Sequence, residues 1–287
     1  MPESIIFYIV FISQIVLISL YYPYKVTNRM NEVINKYPPS IYPKLYPESL
    51  AKVEKDQKIY RLLNWGIALI GVILLVMVGL SPFEFQSGEK HAEGMPLFYG
   101  MLQFIPMILL EVSSSKQFKL MRKSNLSHTR SAALTPRKLF DYISPVTIVT
   151  AVVAYFGYIM FDLYINDFIW TSDIIVRTVS LTLCNILFIA IASRNLYGKK
   201  LDPFQDPKDR HKLIKFSVNS MAVVSIFASM FYIATIAIDW FELQHFEIVV
   251  NSLYFQILAI FGVGAILRSV KIEDINFDVY KNDAQSA

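Results

Sequence analysis

FIWTSDIIVRTVSLTLCNILFIAIAS, residues 168–193, is longer than the ~20 apolar residues that an α-helix needs to cross a bilayer. It still carries Asp173, Arg177, Cys184 and Asn185. A charge at the centre of the hydrocarbon costs roughly 2.5 kcal/mol or more, so it needs a partner, water or a route to the interface. Arg177 is the only lysine or arginine inside any apolar segment of the chain. What surrounds this stretch therefore decides how the whole chain is read.

The surroundings are apolar throughout. Of 287 residues 54% are hydrophobic and 17% charged, against about 25% charged in a soluble domain. Seven apolar segments of near-spanning length are expected, at 5–22, 63–80, 96–110, 143–165, 168–192, 218–238 and 246–267. Only Asn166 and Asp167 separate the fourth from the fifth, which predicts a tight hairpin. The first has the acidic flank MPES and no small-residue cleavage site, so it is expected to remain as a membrane helix. The predicted fold class is an all-α polytopic membrane protein with seven transmembrane helices. Residues 1–270 form one domain, 25–62 a basic Tyr/Pro-containing loop within it, and 271–287 a polar cytoplasmic tail.

Charge placement predicts the orientation. Lys and Arg number eight in 25–62, seven in 111–142 and seven in 193–217. The alternate loops hold Lys90 among Glu84, Glu89 and Glu93, and the acidic set Asp239, Glu242 and Glu247. Basic loops stay cytoplasmic, so the N-terminus is expected outside and the C-terminus inside, in a plasma membrane, as in a bacterial cytoplasmic (inner) membrane. Each basic loop has prolines followed by a charged run into the next span, after Pro47, Pro136 and Pro207. Proline suits a first helical turn, which predicts that helices two, four and six begin before the membrane. These bases are expected to meet anionic lipid head groups rather than nucleic acid, since no aromatic-basic motif accompanies them. The run KYPPSIYPKLYPES, residues 36–49, is stiffened by its Tyr-Pro pairs. It reads as a cap on the bundle or as a docking site for a protein partner at 37–47.

An internal match invites a repeat. LFYGMLQFIPMILL (97–110) aligns without a gap on LYFQILAIFGVGAI (253–266), with Pro106 opposite Gly262 as helix-loosening residues. Helices one to three and five to seven would then be parallel repeats joined by helix four, a 3+1+3 layout. That architecture resembles the small sugar transporters of the PQ-loop type, whose Pro-Gln motif the chain lacks. The Asp-Arg-Tyr and Asn-Pro-x-x-Tyr motifs of G-protein-coupled receptors are absent as well.

On the fifth helix, Asp173, Arg177, Ser180 and Cys184 fall within about 60° of one another at 100° per residue. Ile175, Val179 and Ile186 lie opposite. The polar stripe is expected to face the bundle, with Asp173 as the local partner of Arg177. Asp162 on helix four and Asp239 on helix six are further acids near the same end. These six residues, Asp173, Arg177, Ser180, Cys184, Asp162 and Asp239, form the candidate ligand site. Gln14, Asn64, Gln103, Asn185, Asn219, Asn251 and Gln256 are expected to bond between helices. All four histidines lie in loops, and no HExxH, P-loop, GxSxG or GxGxxG occurs. No catalytic set, metal or cofactor is expected. The leading expectation is a small-solute transporter or permease. A sensor or assembly protein acting through the cytoplasmic loops is the alternative, and a membrane enzyme the third.

Overall fold

A computed structural model describes residues 2–80, 95–124 and 137–281 of the chain, with the side chains of 2–4 and 245 excepted. The acidic loop with Glu84, Glu89, Lys90, His91 and Glu93 lies outside the described residues, as do His128, Arg130 and Pro136. Every regular element among the described residues is helical. Seven are long and apolar enough to cross a membrane: α1 (Ile5–Lys36), α2 (Leu50–Leu80), α3 (Met95–Ser124), α4 (Pro145–Ile165), α5 (Ser172–Tyr197), α6 (Pro207–Trp240) and α7 (Glu247–Ser269). This fits an integral membrane protein. Large apolar side chains point outward along most of them; Leu69 is 61% exposed and Ile189 65%.

The helices group unequally. Phe7, Phe11 and Ile15 of α1 share a core with Ile67 and Val78 of α2, Tyr99 of α3 and Ile248 of α7. A second group is α4, α5 and α6, packed through Tyr158, Leu181, Ala228 and Ile236. Rings of α6 and α7 join the groups, Phe231 stacking on Tyr254 at 4.2 Å. This division places α7 with α1–α3 and α4 with α5 and α6.

Arg29 of α1 donates to the Leu267 carbonyl of α7, and Arg137, just before α4, to the Leu196 carbonyl of α5. Ser113 of α3 donates to Asp56 of α2. The basic segments thus gather at one end of the bundle, the basic end. Asp167, Asp173 and Asp239 mark the opposite, acidic end.

Several boundaries differ from expectation, each for a local reason. α1 does not stop before Pro23. A π-helical segment, Ile15–Tyr21, precedes it, and the Tyr22 N–H donates to the Leu17 carbonyl. The wider turn accommodates a ring that removes one donor and crowds the carbonyl four residues back, and the helix continues to Lys36. α7 has a π segment of its own at Ile260–Gly264, around Gly262. Pro106, its aligned counterpart, sits in unbroken α-helix. The α4–α5 connection is longer than two residues: α5 starts at Ser172, capped by Thr171. Asp167 and Phe168 take left-handed φ values of 51° and 59°, which turns the chain between antiparallel helices. Helices α2 and α6 do begin well before their apolar cores, at Leu50 and Pro207. α4 does not. A 3-10 turn, Leu139–Asp141, precedes it, and Ser144 caps it with Pro145 in the first turn.

The tail is not simply polar. Ile272, Phe277 and Tyr280 are buried with Val33, Tyr37, Tyr42, Leu45 and Phe204 around them. Phe277 stacks on Tyr37 with ring centres 3.8 Å apart. The Tyr-Pro run, the 199–206 turn and residues 271–281 thereby form a single cap on the basic end.

Candidate functional site

On α5, Ile174 and Leu181 are fully buried, and Arg177, Thr178, Thr182 and Asn185 are half-buried. Asp173 and Cys184 are exposed, and Ser180 is half-buried. At 100° per residue the bundle-facing side is turned about a quarter turn from the stripe expected from sequence. Polarity does not mark the packed face of this helix. Leu181 and Ile174 carry the contact instead, and Arg177 lies at the edge of that face. Ile175, Val179 and Ile186 are exposed, as the stripe reading required.

Arg177 is paired, but across helices rather than with Asp173. Its Nη2 donates to Oδ1 of Asp162 at 2.8 Å and its Nε to Oδ2 at 3.1 Å. Asp162 is completely buried, while the Arg177 side chain is 30% exposed. Asn166 Nδ2 also donates to the carboxylate, at 3.3 Å, and Tyr158 Oη lies 3.4 Å from it. A buried carboxylate is tolerated when its lone pairs are satisfied in this way. Two further contacts join α4 and α5: Tyr158 with Thr178, and Tyr155 with Thr182 at 2.6 Å. Asp239 is exposed in the last turn of α6. Of the six candidate residues, the structure pairs Arg177 with Asp162, and the other four do not join that ion pair.

Below this lashing, toward the basic end, α4 and α5 separate. A cavity of about 580 Å³ lies between them with α6 as its floor. Val152 and Phe156 form one wall, Ile189 and Ala192 the other, and Met221 and Ala222 the floor. Leu139, Leu196 and Tyr197 surround its basic end. The space exists because small residues meet there: Ala151, Ala192, Ser193, Ala222 and Ser225 come from three helices. Four of its polar groups pair off, Tyr155 with Thr182 at 2.6 Å and Ser225 Oγ donating to Asn185 Oδ1 at 2.6 Å. Phe156 and Ile189 are 58% and 65% exposed, so the cavity opens sideways, where lipid would lie. Along α5 the lining runs from Thr182 to Tyr197, about 22 Å at 1.5 Å per residue.

A second polar region lies between α1, α3 and α7. Gln14 Nε2 donates to Gln103 Oε1 at 2.8 Å, and Gln103 Nε2 to Ser19 Oγ at 2.8 Å. Ser252 Oγ donates to Gln14 Oε1 at 2.5 Å, and Gln256 Nε2 to the Val10 carbonyl at 3.0 Å. The interhelical role expected of these glutamines is what they perform. The network latches three helices beside the π segment of α1.

No family model matches the chain, and neither a curated protein nor a solved structure shows similarity to it. Among the described residues no group of three His, Cys, Asp or Glu is placed to hold a metal ion. The groove was missed from sequence because its signal is distributed. Ala151, Ala192 and Ala222 are ordinary in their own helices and form a space only when three helices meet.

Proposed function

We propose that this integral membrane protein binds a lipid-like amphiphile that enters sideways from the bilayer into the α4–α5–α6 groove, and that it carries or senses that molecule. The observation that supports this is the cavity of about 580 Å³ with its lateral opening and apolar lining. The volume is within the roughly 300–1,000 Å³ of ligand pockets. Its length of about 22 Å exceeds one leaflet's share of a ~30 Å hydrocarbon core, so an acyl chain could lie along it. Transport of a small polar solute at the helix-five stripe has less support, because the Asp162 carboxylate already neutralises Arg177 and takes two of its donors. Docking of a protein at 37–47 would have to displace or sit upon the tail that Tyr37 stacks against. Sidedness follows the charge rule: the basic end is cytoplasmic and the N-terminus outside.

The test is photo-crosslinking in nanodiscs with a phospholipid bearing a diazirine on its acyl chain, mapped by mass spectrometry. Adducts are expected to concentrate on α4–α6 near Val152 and Ile189, and to be lost in Ala222→Trp, which fills the floor. Adducts spread evenly around the bundle, or undiminished in a folded Ala222→Trp protein, would refute the reading.

A further inference from the structure

Beside the basic end of the groove, several cations converge on the end of α5 and the turn that follows it. Arg137 Nη1 donates to the Leu196 carbonyl at 2.8 Å, and Arg210 Nη2 donates to the Gly198 carbonyl at 2.8 Å. Arg122 reaches the Lys200 carbonyl, and Lys200 the Gln205 carbonyl. Leu196 itself lines the groove. Of these carbonyls only that of Leu196 belongs to α5, where the negative end of the helix dipole attracts a cation; the others lie at or beyond the Gly198 cap, past the reach of the dipole. It does not explain the imbalance of charge. The acids of the same turn face Lys200 and, among the described residues, form an ion pair with neither arginine: Asp202 accepts from Tyr280 Oη, and Asp206 from the Lys208 N–H and from Asn276. Among the described residues neither Arg137 nor Arg210 takes part in an ion pair. Each guanidinium has five donors, and the carbonyl bond uses one. Burial, with the Arg210 guanidinium nearby, pushes the Lys200 amine below its ordinary value.

An apolar slot whose lining ends at Leu196 and Tyr197, beside two half-buried arginines that hold the Leu196 and Gly198 carbonyls and lack carboxylates, suits an anionic amphiphile. We propose that the groove is a binding site for an anionic glycerophospholipid, its acyl chain along α5 and its phosphate on Arg137 and Arg210. This rests on the lateral-groove reading and adds the class of head group. Arginine suits the role because its planar fork matches phosphate oxygens in pairs. The site is distinct from the diffuse attraction of any basic loop to an acidic membrane, since it depends on these two residues and on the groove beside them.

The experiment measures retention of phosphatidylglycerol and phosphatidylcholine by the purified full chain, by native mass spectrometry. The wild type is expected to prefer phosphatidylglycerol. Arg137→Gln/Arg210→Gln is expected to lose that preference by roughly tenfold while keeping phosphatidylcholine. Lys116→Gln/Lys119→Gln removes the same charge from exposed positions on α3, and is expected to leave the preference intact. Equal loss in both doubles, or none in the arginine double, overturns the proposal. Where the arginine double does not fold, the single substitutions serve, since each leaves one carbonyl bond in place. Full preference in both singles overturns the proposal equally. Ala222→Trp separates the two readings. Loss of both lipids in that variant supports the groove, whereas loss of neither removes the groove reading whatever the arginines do.

Discussion

Arg177 on α5 holds both carboxylate oxygens of Asp162 on α4, at 2.8 and 3.1 Å, at the end of the helix pair opposite the groove. The pair ties α4 to α5 where they meet and leaves them apart where the cavity opens. A group that first looks like a ligand-binding charge is, in this geometry, the tie that allows two helices to diverge.

Removing Arg177 strands the fully buried Asp162 carboxylate, which costs about 3–5 kcal/mol. Arg177→Ala is expected to lower the thermal stability of the detergent-solubilised protein strongly, and Asp162→Ala to a smaller extent, because the guanidinium it leaves is 30% exposed. Asp173→Ala should change it by less than about 0.5 kcal/mol, because Asp173 is exposed. Equal losses in Asp162→Ala and Asp173→Ala would restore the local i,i+4 pair.

Gly264 lies against Tyr22 so closely that a Cβ would collide with the phenol. Gly264→Ala is expected to destabilise by about 1–3 kcal/mol through overpacking. Gly262→Ala, with nothing within 4 Å, should be near neutral. Melting curves of the two variants give the comparison directly.

The cap should come loose independently of the bundle. Phe277→Ala removes the ring stacked on Tyr37 and is expected to cost about 2 kcal/mol or more locally. Hydrogen exchange should speed up in 37–47 and 271–281 together, with the seven helices unchanged. Faster exchange in the tail alone would show that the two segments do not share a core.

Acid should loosen the same cap. The Asp206 carboxyl is held below its ordinary value of 3.8, first by the Lys208 N–H and also by Asn276. A depressed folded-state value adds stability that is fully present above the unfolded value and lost as pH falls through the folded one. Exchange in 271–281 is therefore expected to rise below about pH 4, and Asp206→Asn should weaken that dependence.

The apolar segments were legible because spanning helices need long apolar runs, and seven runs correspond to seven helices. The interhelical glutamines were legible because an amide in a membrane helix needs a partner. The facing direction of α5 was not. Its wheel has two half-polar sides, and only the burial of Ile174 and the packing of Leu181 against α4 and α6 select between them. The partner of Arg177 was ambiguous for the same reason. Asp173 is one turn away in sequence, while Asp162 becomes adjacent only after the 166–171 turn reverses the chain.

By itself, then, the sequence determined seven apolar helices and the separation of basic from acidic loops, because hydropathy and charge are properties of single segments. Only the tertiary structure decided that Arg177 meets Asp162, that the tail joins the Tyr-Pro cap, and that a groove lies between α4 and α5. Each of these is a relation between segments far apart in the chain, set by which surfaces pack, and no single helix encodes it.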